Sequence, residues 1–476
     1  MTSPGSTSAG PKPGPLDRLL GLFSDIHAGE GSRALLMLAN IFLILVAYYI
    51  IKTVREPLIL STEVPDFLRR LGIRGPAEVK TYAAAAQAAM LTVFVPAYSW
   101  FASRVDRMRL VYGITLFFAT NILFFALTVD AGVSLIGVLF YVWVGFFSLS
   151  IIAQFWSYAN DIYTKDEGNR IFPVVAIGMT AGTPVGAWLA ERMFSAHVQP
   201  HLMLYLAAAI LLLTLAVYAA VNRSTSGPAD AREALAEEAP LGRRGGFALV
   251  FASRYITLIA LLMILLNVVN TTGEYVLSRL VVTRAEAALV GDPTFDKNAF
   301  IGSFYGNFFL WVNIVAVLLQ ALLVSRLVKH LGLAGVLFAL PLTSFAAYGT
   351  VALGLTSLGL VRWLKTAENA TDYSVMNTAR QLIWLPTTRE EKYKAKQAID
   401  SFFVRLGDLV SAVVVFAGTT WLALGVRGFA VLNVGVVLAW LVVATILVKE
   451  NRRLSATRES SGAARPQSRP RTSDVP

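Results

Sequence analysis

An all-α membrane protein, with twelve transmembrane helices arranged as two parallel six-helix repeats, is the fold class that three observations predict. The 476 residues are 56% hydrophobic and only 15% charged, where soluble domains are nearer ~25% charged. Apolar runs of ~20 residues, the length that crosses a bilayer, recur about twelve times. Polar motifs from the first half of the chain also return in the second half at a nearly constant offset.

Residues 1–33 are expected to form an N-terminal segment on the cytoplasmic side. The first fifteen are rich in Pro, Gly and Ser and lack the apolar core of a signal peptide. Leu16, Leu19, Leu20 and Phe23 then fall on one helical stripe with Asp17, Arg18 and Asp25 off it. That pattern suits either a short interfacial helix or a linker. Spans are expected near 34–59, 79–101, 109–129, 132–159, 170–192 and 202–221, forming one bundle (34–221). A second set is expected near 249–279, 299–325, 332–352, 354–380, 396–423 and 428–448, forming another (249–448). The polar stretch 222–248 is a central loop between them, and 449–476 is an expected disordered basic tail.

With the N-terminus inside, most of the 41 Lys and Arg fall in cytoplasmic segments. Both termini and the central loop are therefore expected inside. The net charge of +11 then belongs beside anionic headgroups of the lipid bilayer and does not indicate nucleic acid. The chain has no cysteine and only four His, scattered at 27, 197, 201 and 330, so no disulfide, metal or cofactor is expected. It contains neither a phosphate loop of the Gly-x-x-x-x-Gly-Lys-Ser/Thr type nor a hydrolase-like order of Ser, His and Asp, and an enzyme is not expected.

The repeat rests on three matches. Lys52-Thr53-Val54-Arg55-Glu56 meets Asn270-Thr271-Thr272-Gly273-Glu274, Ser103-Arg104 meets Ser325-Arg326, and Thr164-Lys165-Asp166-Glu167 meets Thr388-Arg389-Glu390-Glu391. The offsets are 218, 222 and 224. Parallel six-helix repeats joined by a cytoplasmic loop are the plan of facilitator-type transporters.

Charged groups inside spans are costly and mark function. Lys52, Arg55 and Glu56 share one face of the first span, a cationic contact for an anionic substrate with Glu56 holding Lys52, or else a snorkelling cluster. Asn267, Asn270, Thr271 and Glu274 make a polar stripe on the seventh, facing a cavity or a neighbouring helix. Arg362, Lys365, Asn369 and Asp372 lie on one stripe of the tenth with Glu368 beside it, lining the pathway or forming a salt-bridge lattice that changes during transport. Gly178, Gly182 and Gly186 are four apart on the fifth, a close-packing device. In the loop 103–109, Arg104 and Asp106 carry a gating signature without its glycines, and Asp161 ends the fourth span.

Four stretches resemble one family. They are Ile51-Lys52-Thr53-Val54-Arg55-Glu56-Pro57-Leu58, Val79-Lys80-Thr81-Tyr82, Phe155-Trp156-Ser157-Tyr158-Ala159-Asn160-Asp161, and the run from Tyr373-Ser374 through Pro386, Glu391, Lys392, Lys394 and Lys396 to Ala398-Ile399-Asp400 and Arg405-Leu406-Gly407. They are similar to the bacterial and plastid ATP/ADP translocases of the major facilitator superfamily. The resemblance implies nucleotide exchange by alternating access, with a small-molecule nucleotide as the partner. It implies substrate contacts at Lys52, Arg55, Lys80 and Arg380, with Asn270 and Glu274 on the facing wall. Glu56, Arg104, Asp106, Asp161, Lys365, Glu368 and Asp372 are the candidate coupling and gating residues. The sequence departs from the family pattern in having Val144 and Asn270 where acidic residues are expected, and Asp372 where a base is expected. The alternatives are a proton-coupled carrier of another organic solute, with Glu56, Glu274, Glu368 or Asp372 as relay, and a membrane module that does not transport.

Overall fold

The computed structural model describes residues 14–21, 24–102, 104–130, 135–224 and 245–463. Most of the expected central loop and the end of the basic tail lie outside them. The described residues contain helices and no strand. Long helices are α2 (Gly31–Leu60), α4 (Pro76–Ala102), α5 (Arg107–Thr128), α6 (Ile136–Ile162), α7 (Lys165–Ser195) and α8 (Pro200–Ser224), with short α1 (Pro15–Leu20) and α3 (Asp66–Arg70) among them. A short α9 (Gly246–Ala252) precedes α10 (Arg254–Gly291), α11 (Lys297–Leu319) and α12 (Ser325–Ala352). Then come α13 (Leu358–Thr371), α14 (Asn377–Leu382), α15 (Lys396–Ala398), α16 (Val404–Phe416) and α17 (Val426–Ala463).

Nine helical stretches among the described residues are long and apolar enough to cross a membrane. One of them, Lys297–Ala352, runs for 56 residues and turns at Gly332, whose φ of +61° suits a residue without Cβ. Neither α4 nor α13 is among the nine. The face of the bundle that holds the start of α2 and the end of α17 is called here the termini face.

The N-terminal helix departs from its expected stripe. Leu20 is buried, but Leu16 is 40% exposed and Asp17 is tucked inward. The Asp17 carboxylate accepts hydrogen bonds from the backbone amides of Gly14, Gly29 and Gly31 at 2.7, 3.0 and 2.8 Å. A carboxylate satisfied by three amides replaces the apolar contact expected there.

Helix α2 packs on α7 through the three glycines. A methyl group at Gly182 would fall 2.7 Å from the Phe42 carbonyl oxygen, and one at Gly186 would fall 2.8 Å from that of Val46. Small residues thus let two backbones meet, as expected in a bilayer. Gly182→Leu is expected to cost about 1–3 kcal/mol by overpacking, read as a fall in melting temperature of the detergent-purified protein.

The two capping boxes have the same geometry. The Thr164 amide and hydroxyl donate to Glu167 Oε2 at 2.8 and 3.0 Å, and the Glu167 amide donates back to the Thr164 hydroxyl at 3.3 Å. The Thr388 amide and hydroxyl donate to Glu391 Oε2 at 2.7 and 2.9 Å, and the Glu391 amide returns the bond at 3.3 Å. Each box satisfies amides that the helix start leaves open. Arg104 and Arg326 also make matching bonds, each guanidinium donating to the carbonyl four residues earlier, at Trp100 and Leu322.

The core of the first half takes in the far ends of α10 and α11, including Leu277, Val281, Ile301 and Phe308, while the rest of the second half forms its own core around Met263, Leu337 and Trp440. The halves are therefore welded at the face opposite the termini. Helix α7 meets α11 there with Phe194 over Gly302 and the Glu191 backbone over Gly306. His197 Nδ1 lies 3.2 Å from Asp296 Oδ2 across the same seam.

Burial pushes the Asp296 carboxyl up, but the Ala299 amide and His197 outweigh it and hold the group below its ordinary 3.8. A depressed carboxyl stabilises the fold above its ordinary value and loses that contribution as pH falls through its folded value. The melting temperature of Asp296→Asn should therefore lie below that of the parent at about pH 5, and the gap should narrow as pH falls below 3.8.

Candidate functional site

A cavity of about 220 Å³ lies between the halves. Its first-half wall carries Lys52, Arg55, Glu56, Lys80, Gln87 and Tyr141, and its second-half wall Asn270, Thr271, Glu274, Phe309, Asn369, Tyr373 and Asp408. Lipid would leave such groups without partners, so they turn inward. Helix α2 supplies Lys52, Arg55 and Glu56, α10 supplies Asn270, Thr271 and Glu274, Lys80 stands on α4, and Asn369 on α13.

Glu56 is fully buried and gathers two cations. Arg55 reaches its Oε1 at 2.5 Å and Lys80 its Oε2 at 2.7 Å. Sequence reasoning paired Glu56 with Lys52, one turn back on the same helix, but the carboxylate is drawn instead to Lys80 from α4. Lys52 makes no ion pair among the described residues. Its ammonium lies 4.9 Å from the Tyr49 ring centre and 4.3 Å from that of Phe309, an attraction worth far less than a carboxylate in a dry site. Arg55 also stacks over Tyr141 at 4.3 Å.

Lys80 crosses to the second half. It donates to the Ser278 hydroxyl at 3.0 Å and lies 3.4 Å from the Tyr305 hydroxyl and 3.9 Å from Glu274 Oε2. Glu274 Oε1 accepts from Asn369 at 3.1 Å and stands 3.9 Å from the Lys365 ammonium. Lys365 is buried, 3.1 Å from Glu368 and donating to Asn270 Oδ1 at 2.9 Å. Tyr348 donates to Glu368 at 2.7 Å. Gly273 leaves the room in which Tyr348 and Lys365 meet α10. Glu368 thus sits behind the wall and Glu56 in it, each held by a cation, while Lys52 faces the cavity unneutralised.

Two expected residues are elsewhere. Arg380 pairs with Asp372 at 2.9 Å and lines a separate cavity with Lys396, Asp400 and Trp384. The cause is a π-helical turn, Asp372–Met376, between α13 and α14. It inserts an extra residue into the period and rotates everything beyond it, so the face that carries Lys365 and Asn369 does not carry Arg380. Arg362, expected on the same stripe, donates to Asn307 Oδ1 at 3.0 Å. The loop residues are local as well. Arg104 covers the Trp100 ring, Asp106 caps α5 by accepting from the Arg109 amide, and Asp161 pairs with Arg107.

Sequence reasoning missed Ser278, Tyr305 and Tyr348. Each lies in an apolar run and reads as core; only Tyr348, four residues after Ser344 and facing Glu368, left a faint polar spacing.

A helical bundle with a charged cavity sealed from one face and lined by both halves has the layout of a membrane transporter. Solved structures agree on the fold. The nucleoside transporter NupG is similar with a TM-score of 0.62 at 14% identity, covering 88% of this chain and 98% of that one. A POT family transporter in complex with 5-aminolevulinic acid is similar at 0.57 and 14%, covering 88% and 96%. Residues 134–451 match the TLC ATP/ADP transporter family, and the chain belongs to that family. The ADP,ATP carrier protein 1 of Chlamydia pneumoniae is 26% identical over 361 residues, 66% of this chain and 67% of the relative. That of Chlamydia trachomatis serovar D is 25% identical over 353 residues, 66% and 64%. The chain thus spans about two thirds of the length of these relatives.

Proposed function

We propose that the protein exchanges nucleotides of the ATP/ADP type across a bacterial inner membrane by alternating access. The observation that carries this is Lys52, a cation facing the central cavity without a carboxylate, beside Arg55 and Lys80. These three would hold the phosphates, with Asn270 and Glu274 opposite. Arg380, outside the cavity, would act with Asp372 in the cytoplasmic half of the pathway. Glu56, Lys365 and Glu368 would fix the cavity walls, and Arg104, Asp106 and Asp161 the loop that moves on closure.

Twelve spans in two parallel six-helix halves, 34–221 and 249–448, complete this reading, with 222–248 as the joining loop and both termini cytoplasmic. The matching capping boxes and the matching Arg104 and Arg326 bonds support the repeat. The seal at the face opposite the termini then makes this the inward-facing state, and rocking of the halves would break it.

The test is counterflow in proteoliposomes. Vesicles loaded with unlabelled ADP should accumulate labelled ATP, and unloaded vesicles should not; equal uptake by both would sink exchange. A second reading is favoured by one feature, that Glu56, Glu274 and Asp408 match Lys52, Arg55 and Lys80 in number around the cavity. It is proton-coupled uptake of another organic solute, and solute accumulation that collapses with an imposed pH gradient would establish it.

A further inference from the structure

A second cavity, of about 360 Å³, opens between α4, α5 and α6 at the termini face. Its wall is aromatic: Phe94, Tyr98, Phe101, Phe117 and Phe118. Phe101 and Phe117 are exposed, and the wall continues along α5 onto Leu116, Phe124 and Leu127, also exposed. In a chain that spans a bilayer, this is surface presented to lipid tails.

Three features make the cavity more than a crevice. Arg109 lines it at the first turn of α5, exposed and without an ion pair among the described residues. Around its mouth, Arg104, Arg107 and Arg109 outnumber Asp106 and Asp161, and Arg107 already holds Asp161. Ser150 on α6 lines the cavity, fully buried, and its hydroxyl has no hydrogen-bond partner, although a serine in a bilayer helix ordinarily bonds back to its own turn. Finally, Gly113 opens the cavity wall: a Cβ there would meet nothing within 4 Å.

We infer that this cavity binds an anionic phospholipid, with its phosphate on Arg109 and one acyl chain between α4 and α5. From Arg109 to Phe117 the α5 axis advances ~12 Å at ~1.5 Å per residue, close to the depth of one leaflet, half of ~30 Å. The head is thus held at the depth where headgroups lie. An anionic head is selected because the cluster carries excess positive charge, which a phosphatidylcholine head, already neutral, does not balance. The site is independent of the central cavity and of what that cavity carries.

Native mass spectrometry of the full chain in detergent, given phosphatidylglycerol and phosphatidylcholine in equal amounts, tests the inference. The parent is expected to retain one phosphatidylglycerol in roughly fivefold preference, the discrimination of a single arginine near the surface. Arg109→Gln should bind both lipids equally, Arg109→Lys should recover most of the preference, and Gly113→Phe should fill the cavity and lose the adduct. Since Arg109 is exposed, its substitution leaves the fold intact and decides the matter even if Gly113→Phe is poorly made. Unchanged phosphatidylglycerol preference in Arg109→Gln, or no preference in the parent, overturns the proposal.

Discussion

Lys80→Gln is expected to abolish exchange and to destabilise the protein by about 3 kcal/mol, the low end for breaking a buried ion pair. The low end applies because Arg55 remains on Glu56 at 2.5 Å when Lys80 is gone. The two effects separate in a double variant. Lys80→Gln with Glu56→Gln removes both charges, so chemical denaturation should recover most of the lost stability. Exchange should not return, because the proposed phosphate contact would still be missing. A double variant that regains exchange would show that Lys80 serves only to neutralise Glu56.

The second large effect is at the seam. Gly306→Leu places a side chain where the Cβ alone would come 2.8 Å from Glu191 Cα. The obstacle is backbone on a long helix, so α7 and α11 must part, and the equilibrium shifts toward the state open at that face. Exchange should fall steeply, because a carrier held in one state completes no cycle. The absence of native cysteine gives a direct reading. Ala84→Cys, on the cavity wall, should react with an impermeant maleimide added at the face opposite the termini roughly tenfold faster with Gly306→Leu than without it, the change that about 1.4 kcal/mol produces. Equal rates would mean that the seam yields without opening.

What the sequence revealed follows from how local each signal is. Lys52, Arg55 and Glu56, the Asn270-to-Glu274 stripe and the Lys365–Glu368 pair are spaced within one helix, and helical periodicity put them on the right faces. The glycines of α7 were legible for the same reason, whereas Thr164–Glu167 and Thr388–Glu391 were read only as a repeat match and not as capping boxes. Partners on other helices were not. Nothing near Glu56 in the sequence points to Lys80, and nothing near Lys80 points to Ser278 or Tyr305. Arg380, implied by the resemblance, lies off the cavity because a single π-helical turn resets the phase, and no residue type in Asp372–Met376 announces it. Burial of tyrosine is equally silent, since its ring suits an apolar run whether or not its hydroxyl holds a charge.

The bonds that Lys80 makes across the halves bear on the energetics of the cell. When the cavity is empty, Ser278, Tyr305 and Glu274 hold the lysine, and turning outward would strip it of those partners with nothing in return. In the proposed function, a bound phosphate would offer a replacement before the old contacts are given up. On that reading the unloaded protein would return slowly and the loaded one quickly. In a nucleotide exchanger that asymmetry fixes a one-for-one stoichiometry, so each molecule gained is matched by one released and the adenylate inventory of the compartment stays constant while its phosphorylation state changes.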